Sequence, residues 1–250
     1  MATRDAPTAP PLRRALSSGG VALFDLDGTI TRRDTYLAYL LGFLARHPTR
    51  LPRALPLPLA VAAHLAGLRD NTWLKTRLLG AVLGGVPRSS LRAWTEVFLE
   101  RALRSGLRAR APEVIARHRA AGDRLILVTA SLDFYAEPLA ERLGLDEVLC
   151  TRAALDSAGR LTGNLDGGNC YGAAKLQRVR QRLEDPRGQR PIACYSDHHT
   201  DLPLLRFAHR PIAVNPTRQL RQAAIRLGMP IEDWDAQPCA STRPRTPTSI

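Results

Sequence analysis

Lysine is nearly absent from this chain. Of 36 basic residues only Lys75 and Lys175 are lysine; the others are arginines spread along the whole length. Aromatic side chains are equally scarce, at 5%, too few for the stacking platform that single-stranded nucleic acid requires. The four cysteines, Cys150, Cys170, Cys194 and Cys239, show neither close pairing nor metal-type spacing. That argues against a disulfide framework or a thiolate metal site, and they read as reduced thiols of a cytoplasmic protein. A long hydrophobic run is also missing. The most apolar segment, Leu55 to Leu68, is interrupted by Pro56, Pro58 and His64 and falls short of a membrane-spanning length. It reads as a buried or interfacial helical element, with contact at a membrane surface left open. The amino terminus carries no uninterrupted apolar stretch of the signal-peptide kind.

What is present is positive charge. A formal net charge of +13 and a pI near 10.8 invite an anionic partner. The arginines are scattered and the aromatics few, which favours a compositional bias over a nucleic-acid face. An anionic substrate benefits from the field in either case. With 250 residues the chain can bury a sizeable core and still carry an inserted subdomain.

The chain changes style along its length. Residues 1–19 and 237–250, rich in Pro, Ala, Thr, Ser and Arg, read as a mobile leader and tail. From Tyr36 to about Ala109 the pattern is helical, with Gly84 and Gly85 breaking one helix and Leu91, Trp94 and Phe98 at core spacing in the next. From Pro112 onward helices and strands alternate. Strands are expected at 125–128, 148–152, 191–195 and 212–214, helices at 112–121, 134–143, 173–183 and up to Leu227, and a hairpin arm at 161–165 turning at Asp156 to Gly159. That alternation predicts an α/β fold with a doubly wound parallel sheet. The expected division is a core of 20–34 and 110–236 with a helical cap, 35–109, inserted after the first strand.

The first strand is the most informative segment. Val21-Ala22-Leu23-Phe24 is an apolar run that ends in Asp25-Leu26-Asp27-Gly28-Thr29. A buried parallel strand would place both carboxylates at its carboxyl end, where open α/β sheets bind ligands. Two like charges so close require a cation or a proton, and a bound Mg²⁺ with oxygen ligands suits them.

This segment resembles the first motif of the haloacid dehalogenase superfamily, most of whose members are aspartate-nucleophile phosphatases. Three more elements follow in the same order. Thr129 closes an apolar strand before Ala130-Ser131, and resembles the hydroxyl of the second motif. Lys175, in Asn169-Cys170-Tyr171-Gly172-Ala173-Ala174-Lys175, resembles the third. Tyr195-Ser196-Asp197-His198-His199-Thr200-Asp201 resembles the acidic fourth, with Ser196 replacing the usual glycine and Thr200 taking a place often held by asparagine. The adjacent histidines raise a transition-metal alternative, but neighbouring residues project differently and an oxygen-lined site suits Mg²⁺ better. The inserted helical segment and Leu161-Thr162-Gly163-Asn164 look most like the phosphoserine-phosphatase branch.

The resemblance implies a mechanism. Asp25 would be the nucleophile, and Asp27 the acid and base. Thr129 and Lys175 would bind phosphate, while Asp25, the backbone carbonyl of Asp27 and Asp197 would hold Mg²⁺. Gly28, Thr29 and Asp201 would support them. True dehalogenases of the superfamily lack the second acid, so Asp27 favours phosphate esters. Asp34 stands where phosphoserine phosphatases carry an amine-binding glutamate, and equally suits a helix N-cap. Ser131 suits substrate contact or capping, and Lys75 and Arg77 suit substrate or structure. The expected substrate is a small phosphate ester of the phosphoserine or histidinol phosphate type. A phospholipid head group such as phosphatidylglycerophosphate is the alternative. A non-catalytic basic binding protein and a phosphomutase are the remaining rivals. No nucleic-acid partner is expected, and the oligomeric state is not legible.

Overall fold

The computed structural model describes residues 19–183 and 190–236. The expected tail 237–250, all of the expected leader except Gly19, and Cys239 lie outside the described residues.

The chain opens with β1 (Val21–Phe24), whose four residues are all buried. A run of helices follows: α1 (Thr35–Arg46), α2 (Leu51–Ala54), α3 (Leu57–Leu65), α4 (Asn71–Leu83) and α5 (Arg92–Arg101). Local chemistry sets their limits. Asp34 and Asp70 cap α1 and α4 by accepting from the Leu37 and Trp73 amides, and Gly84 ends α4. The alternating part then runs α6 (Ala111–Ala120), β2 (Arg124–Leu132), α7 (Asp133–Leu143), β3 (Glu147–Leu155), β4 (Leu161–Asp166), α8 (Ala173–Arg182), β5 (Ile192–Ser196), α9 (Leu202–Phe207), β6 (Arg210–Val214), α10 (Arg218–Leu227) and β7 (Ile231–Glu232).

Among the described residues the strands form one seven-stranded sheet in the order β4-β3-β2-β1-β5-β6-β7, with only the β3–β4 pair antiparallel. Side chains alternate across a strand, so β1 feeds two cores. Ala22 and Phe24 join the larger cluster with α1, α4, α5, α6 and α7, while Val21 and Leu23 pack with residues of α8, α9 and α10. Helices therefore cover both faces, which is the doubly wound α/β arrangement the alternation predicts.

The register brings the site together. Phe24 pairs with Leu127 on β2 and with Tyr195 on β5, so the carboxyl ends of the three strands coincide. Strand β2 runs on through Leu132 rather than closing at Thr129, and its pairing with β3 is irregular between Val128 and Leu132. The short β7 and α9 lack a periodic signal in the sequence and appear only here.

Of the two readings of the apolar segment 55–68, buried or interfacial, the buried one fails: α3 contributes no buried residue, and Leu55, Leu59, Leu65 and Leu68 are exposed. Leu91, Trp94 and Phe98 are buried in the larger core. No helix among the described residues is long and apolar enough to cross a membrane.

Candidate active site

Asp25 follows β1 directly, and its amide donates to Tyr195 O at 3.0 Å, which fixes the backbone beside the end of β5. Lys175 enters from the first turn of α8. Its Nζ donates to Asp25 Oδ1 at 2.6 Å and to Asp201 Oδ2 at 2.7 Å, and all three side chains are buried. Ser196 Oγ donates to the same Asp201 oxygen at 2.7 Å. The serine that replaces the usual glycine thus has a bond of its own. Thr29 Oγ1 lies 3.3 Å from Asp25 Oδ2 and 3.4 Å from Asp197 Oδ1, bridging the first and fourth segments.

Asp27 faces different partners. Its Oδ1 accepts from the Thr35 amide at 2.6 Å, and its Oδ2 from Ser131 Oγ at 2.6 Å. Thr35 Oγ1 lies 3.0 Å from Ser131 Oγ, so a small hydroxyl network orients this carboxylate. The two aspartates of one short segment therefore sit in distinct settings, one against an ammonium and one among neutral donors. Thr129 Oγ1 accepts from the Ser131 amide at 3.0 Å, which leaves its own O–H available to an incoming oxygen.

The electrostatics follow from burial. Burial raises Asp25 to about 8; Lys175 opposes this, and Asp201 and Asp197 reinforce it. Burial and Asp201 likewise raise Asp197 to about 6. Burial alone would push the Lys175 ammonium down, but the Asp201 and Asp25 carboxylates outweigh it and hold the group above its ordinary value. The two directions at the Asp25–Lys175 pair are compatible, because the lysine sees two carboxylates whereas Asp25 sees two further acids and little water.

Three carboxylates around one ammonium leave excess negative charge, and Asp201 Oδ1 is buried without a hydrogen-bond partner. A hard divalent cation fits this oxygen-rich donor set. No group of three or more His, Cys, Asp or Glu side chains converges as a metal cage among the described residues. Mg²⁺ needs none, since it is typically held by one or two carboxylates, with waters and substrate phosphate completing its shell. His198 Nδ1 is paired with Thr200 Oγ1 at 2.8 Å.

Gly28 makes the approach of the first and fourth segments possible. It has φ +85°, and a Cβ there would meet Asp197 Oδ2 at 2.2 Å. Its carbonyl accepts from Arg108 Nε at 2.7 Å, and the Arg108 guanidinium pairs with Asp235. Arg108 and Asp235 carry no signal in the sequence, because the contact joins positions 127 residues apart.

Lys75 reaches the site from α4. Its buried Nζ donates to Ala130 O at 2.5 Å and to Asn169 Oδ1 at 3.0 Å, so it ties the helical insertion to the segments around Thr129 and before α8. Of the open alternatives, Asp34 forms the N-cap bond to the Leu37 amide at 2.6 Å. Ser131 does not cap α7, which has no side-chain cap; it serves Asp27 instead. Thr35 and Tyr135, near the same network, were not legible from any motif.

The profile of the haloacid dehalogenase-like hydrolases matches residues 22–206. The chain is 30% identical over 217 residues to the Streptomyces azureus inhibition of morphological differentiation protein, covering 85% of this chain and 78% of that one. It is 28% identical over 217 residues to phosphoserine phosphatase SerB1 of Mycobacterium tuberculosis, covering 85% and 70%. Among solved structures, a Bordetella pertussis Tohama I protein of unknown function aligns with a TM-score of 0.75 and 31% identity over 87% of this chain and 100% of that one. With the four motif segments meeting at one sheet edge and the family profile spanning most of the chain, this protein belongs to the haloacid dehalogenase-like hydrolases.

Proposed function

We propose that this chain is a Mg²⁺-dependent phosphomonoester hydrolase that works through an aspartyl-phosphate on Asp25. The observation that carries the reading is the bridge of Lys175 Nζ between Asp25 and Asp201, beside an Asp27 held by Thr35 and Ser131. An ionised Asp25 oxygen attacks phosphorus and the ester P–O bond breaks, which divides one hard displacement into two easier steps. Asp27 gives its proton to the leaving oxygen, then takes one from the water that hydrolyses the acyl-phosphate and frees inorganic phosphate. Lys175 and the Thr129 hydroxyl hold the transferring oxygens. Asp25, Asp197 and the Asp27 carbonyl would hold Mg²⁺, which supplies neutralisation of charge on nucleophile and phosphate. Thr29, Gly28 and Asp201 keep those ligands in register.

We assign residues 35–109 the role of a cap over the site, with 20–34 and 110–236 as the core. Lys75, which joins α4 to Ala130 and Asn169, supports that division. The substrate we assign is a small phosphorylated metabolite of the phosphoserine or histidinol phosphate type, in keeping with the name of the Mycobacterium tuberculosis relative, a phosphoserine phosphatase. Asp34 is the acid we assign to a substrate amine. Its N-cap bond is compatible with that role, since a carboxylate accepts several donors. The alternative, a phospholipid head group such as phosphatidylglycerophosphate, is favoured by one observation, the exposed leucines of the insertion. A cytoplasmic setting is part of the same proposal.

The test is phosphate release from a panel of phosphoserine, histidinol phosphate, sugar phosphates and phosphatidylglycerophosphate, with and without Mg²⁺ and with Asp25→Asn. Release that needs both Mg²⁺ and Asp25 supports the reading and ranks the substrates. No release by folded, Mg²⁺-binding protein overturns it in favour of a phosphomutase or a basic binding protein.

A further inference from the structure

The helical insertion carries an apolar surface that its own fold does not use. Across α2 and α3 the side chains of Leu55 and Leu59 are each 76% exposed, Leu65 79% and Leu68 72%, and Leu51 and Val61 are exposed as well. Nothing in α3 is buried. A cluster of exposed apolar side chains in one segment of a folded protein marks a surface that meets another apolar phase. Single exposed leucines are ordinary; five leucines and a valine within 18 residues are not.

The charge around this ridge is one-sided. From Thr35 through Arg69 the sequence has no aspartate or glutamate, while Arg46, Arg50, Arg53 and Arg69 lie within it. Asp70, the only acid between Asp34 and Glu96, is committed to capping α4. Arg50 and Arg53 stand at the foot of the ridge, donating to the Gly84 carbonyl at 3.1 Å. Arg69 and Arg77 flank Trp73 at 5.5 Å and 5.4 Å from its ring, a pairing of amphipathic side chains suited to an interface between apolar and aqueous phases.

We infer that the α2–α3 ridge docks on the surface of an anionic lipid bilayer. The nine residues of α3 are too few to span a bilayer but suffice to lie in its interface with their leucines in the acyl boundary. The arginines at its base then meet anionic head groups. A second copy of the chain fits less well, because self-association would press acid-free, arginine-bearing surfaces together. A protein partner fits less well too, since α3 offers only His64 among apolar residues where a protein interface carries regular hydrogen bonds. The inference does not depend on which ester the active site hydrolyses.

The test uses the full chain and co-sedimentation with vesicles of phosphatidylcholine alone and of phosphatidylcholine mixed with phosphatidylglycerol. Leu59→Ser/Leu65→Ser is the variant, because it removes apolar surface without altering charge. Thermal unfolding and phosphate release serve as controls on the fold. The wild type is expected to pellet with the anionic vesicles and not with the neutral ones, less so at high salt, and the variant to partition roughly tenfold more weakly with its fold intact. Anionic-vesicle binding unchanged in the variant would overturn the proposal, since charge alone would account for it. No binding to either vesicle would overturn it as well. A concentration-dependent dimer that the variant dissolves, or an acidic protein held by the ridge in place of vesicles, would assign the surface to those partners instead.

Discussion

A methyl group on Gly28 would stand 2.2 Å from Asp197 Oδ2, so these two residues exclude any side chain at position 28. The backbone there is also in the left-handed region, at φ +85°. Gly28→Ala should displace Asp197 and lower both Mg²⁺ affinity and turnover about 10–100-fold. Calorimetric titration of Mg²⁺ against the variant, beside steady-state kinetics, checks this. Wild-type affinity would show that Asp197 is not held by this contact.

Asp27→Asn should reduce turnover roughly 10²–10⁴-fold, the range of general acid–base catalysis, while Mg²⁺-dependent phosphate binding persists. The asparagine keeps the shape that Thr35 and Ser131 hold but cannot carry the proton. Full turnover in this variant would sink the acid–base role.

Ser131→Ala should cost about tenfold in kcat with little change in KM, because one charge-assisted bond orienting Asp27 is lost while substrate contacts remain. A purely structural role would show instead as a lower melting temperature with kcat unchanged.

Without metal, the site should be less stable at higher pH. Asp25 and Asp197 are raised from 3.8 to about 8 and about 6. Their protonated forms therefore favour the fold below pH 4, and that contribution is lost as pH rises through 6 and then 8. Mg²⁺ competes with those protons. The gain in melting temperature on adding Mg²⁺ should thus be larger at pH 8 than at pH 5. An equal gain at both would contradict the proposed ligand set.

Lys75→Met should lower unfolding free energy by about 1–2 kcal/mol, since Ala130 O loses its buried donor and Asn169 loses one of two. Urea denaturation measures it. The effect is moderated because the ammonium itself is buried at a cost, which pushes it down to about 8.

The legible parts were those written in short stretches. An apolar run ending in two aspartates and strands alternating with helices are local patterns, and they sufficed for the α/β class and for Asp25 and Asp27 as candidates, while the resemblance to the haloacid dehalogenase motifs added Thr129, Lys175 and Asp197. The hairpin of β3 and β4 was legible from its turn at Asp156 to Gly159. What stayed illegible was every bond between distant segments. Arg108 on Gly28 and Lys75 on Ala130 join residues 80 and 55 positions apart whose types alone suggest nothing, and β7 and α9 are too short to show a period.

The sequence by itself determined which chemical groups are available and in what order the elements follow, because strand and helix periods and motif spacings are local properties of the chain. Only the tertiary structure decided how those groups are paired. It gave Asp25 to Lys175 and Asp27 to Ser131, made Asp34 a helix cap, and left Leu59 and Leu65 of α3 outside the core. Pairing and exposure depend on which surfaces meet when distant segments pack, and no local pattern of residues encodes that.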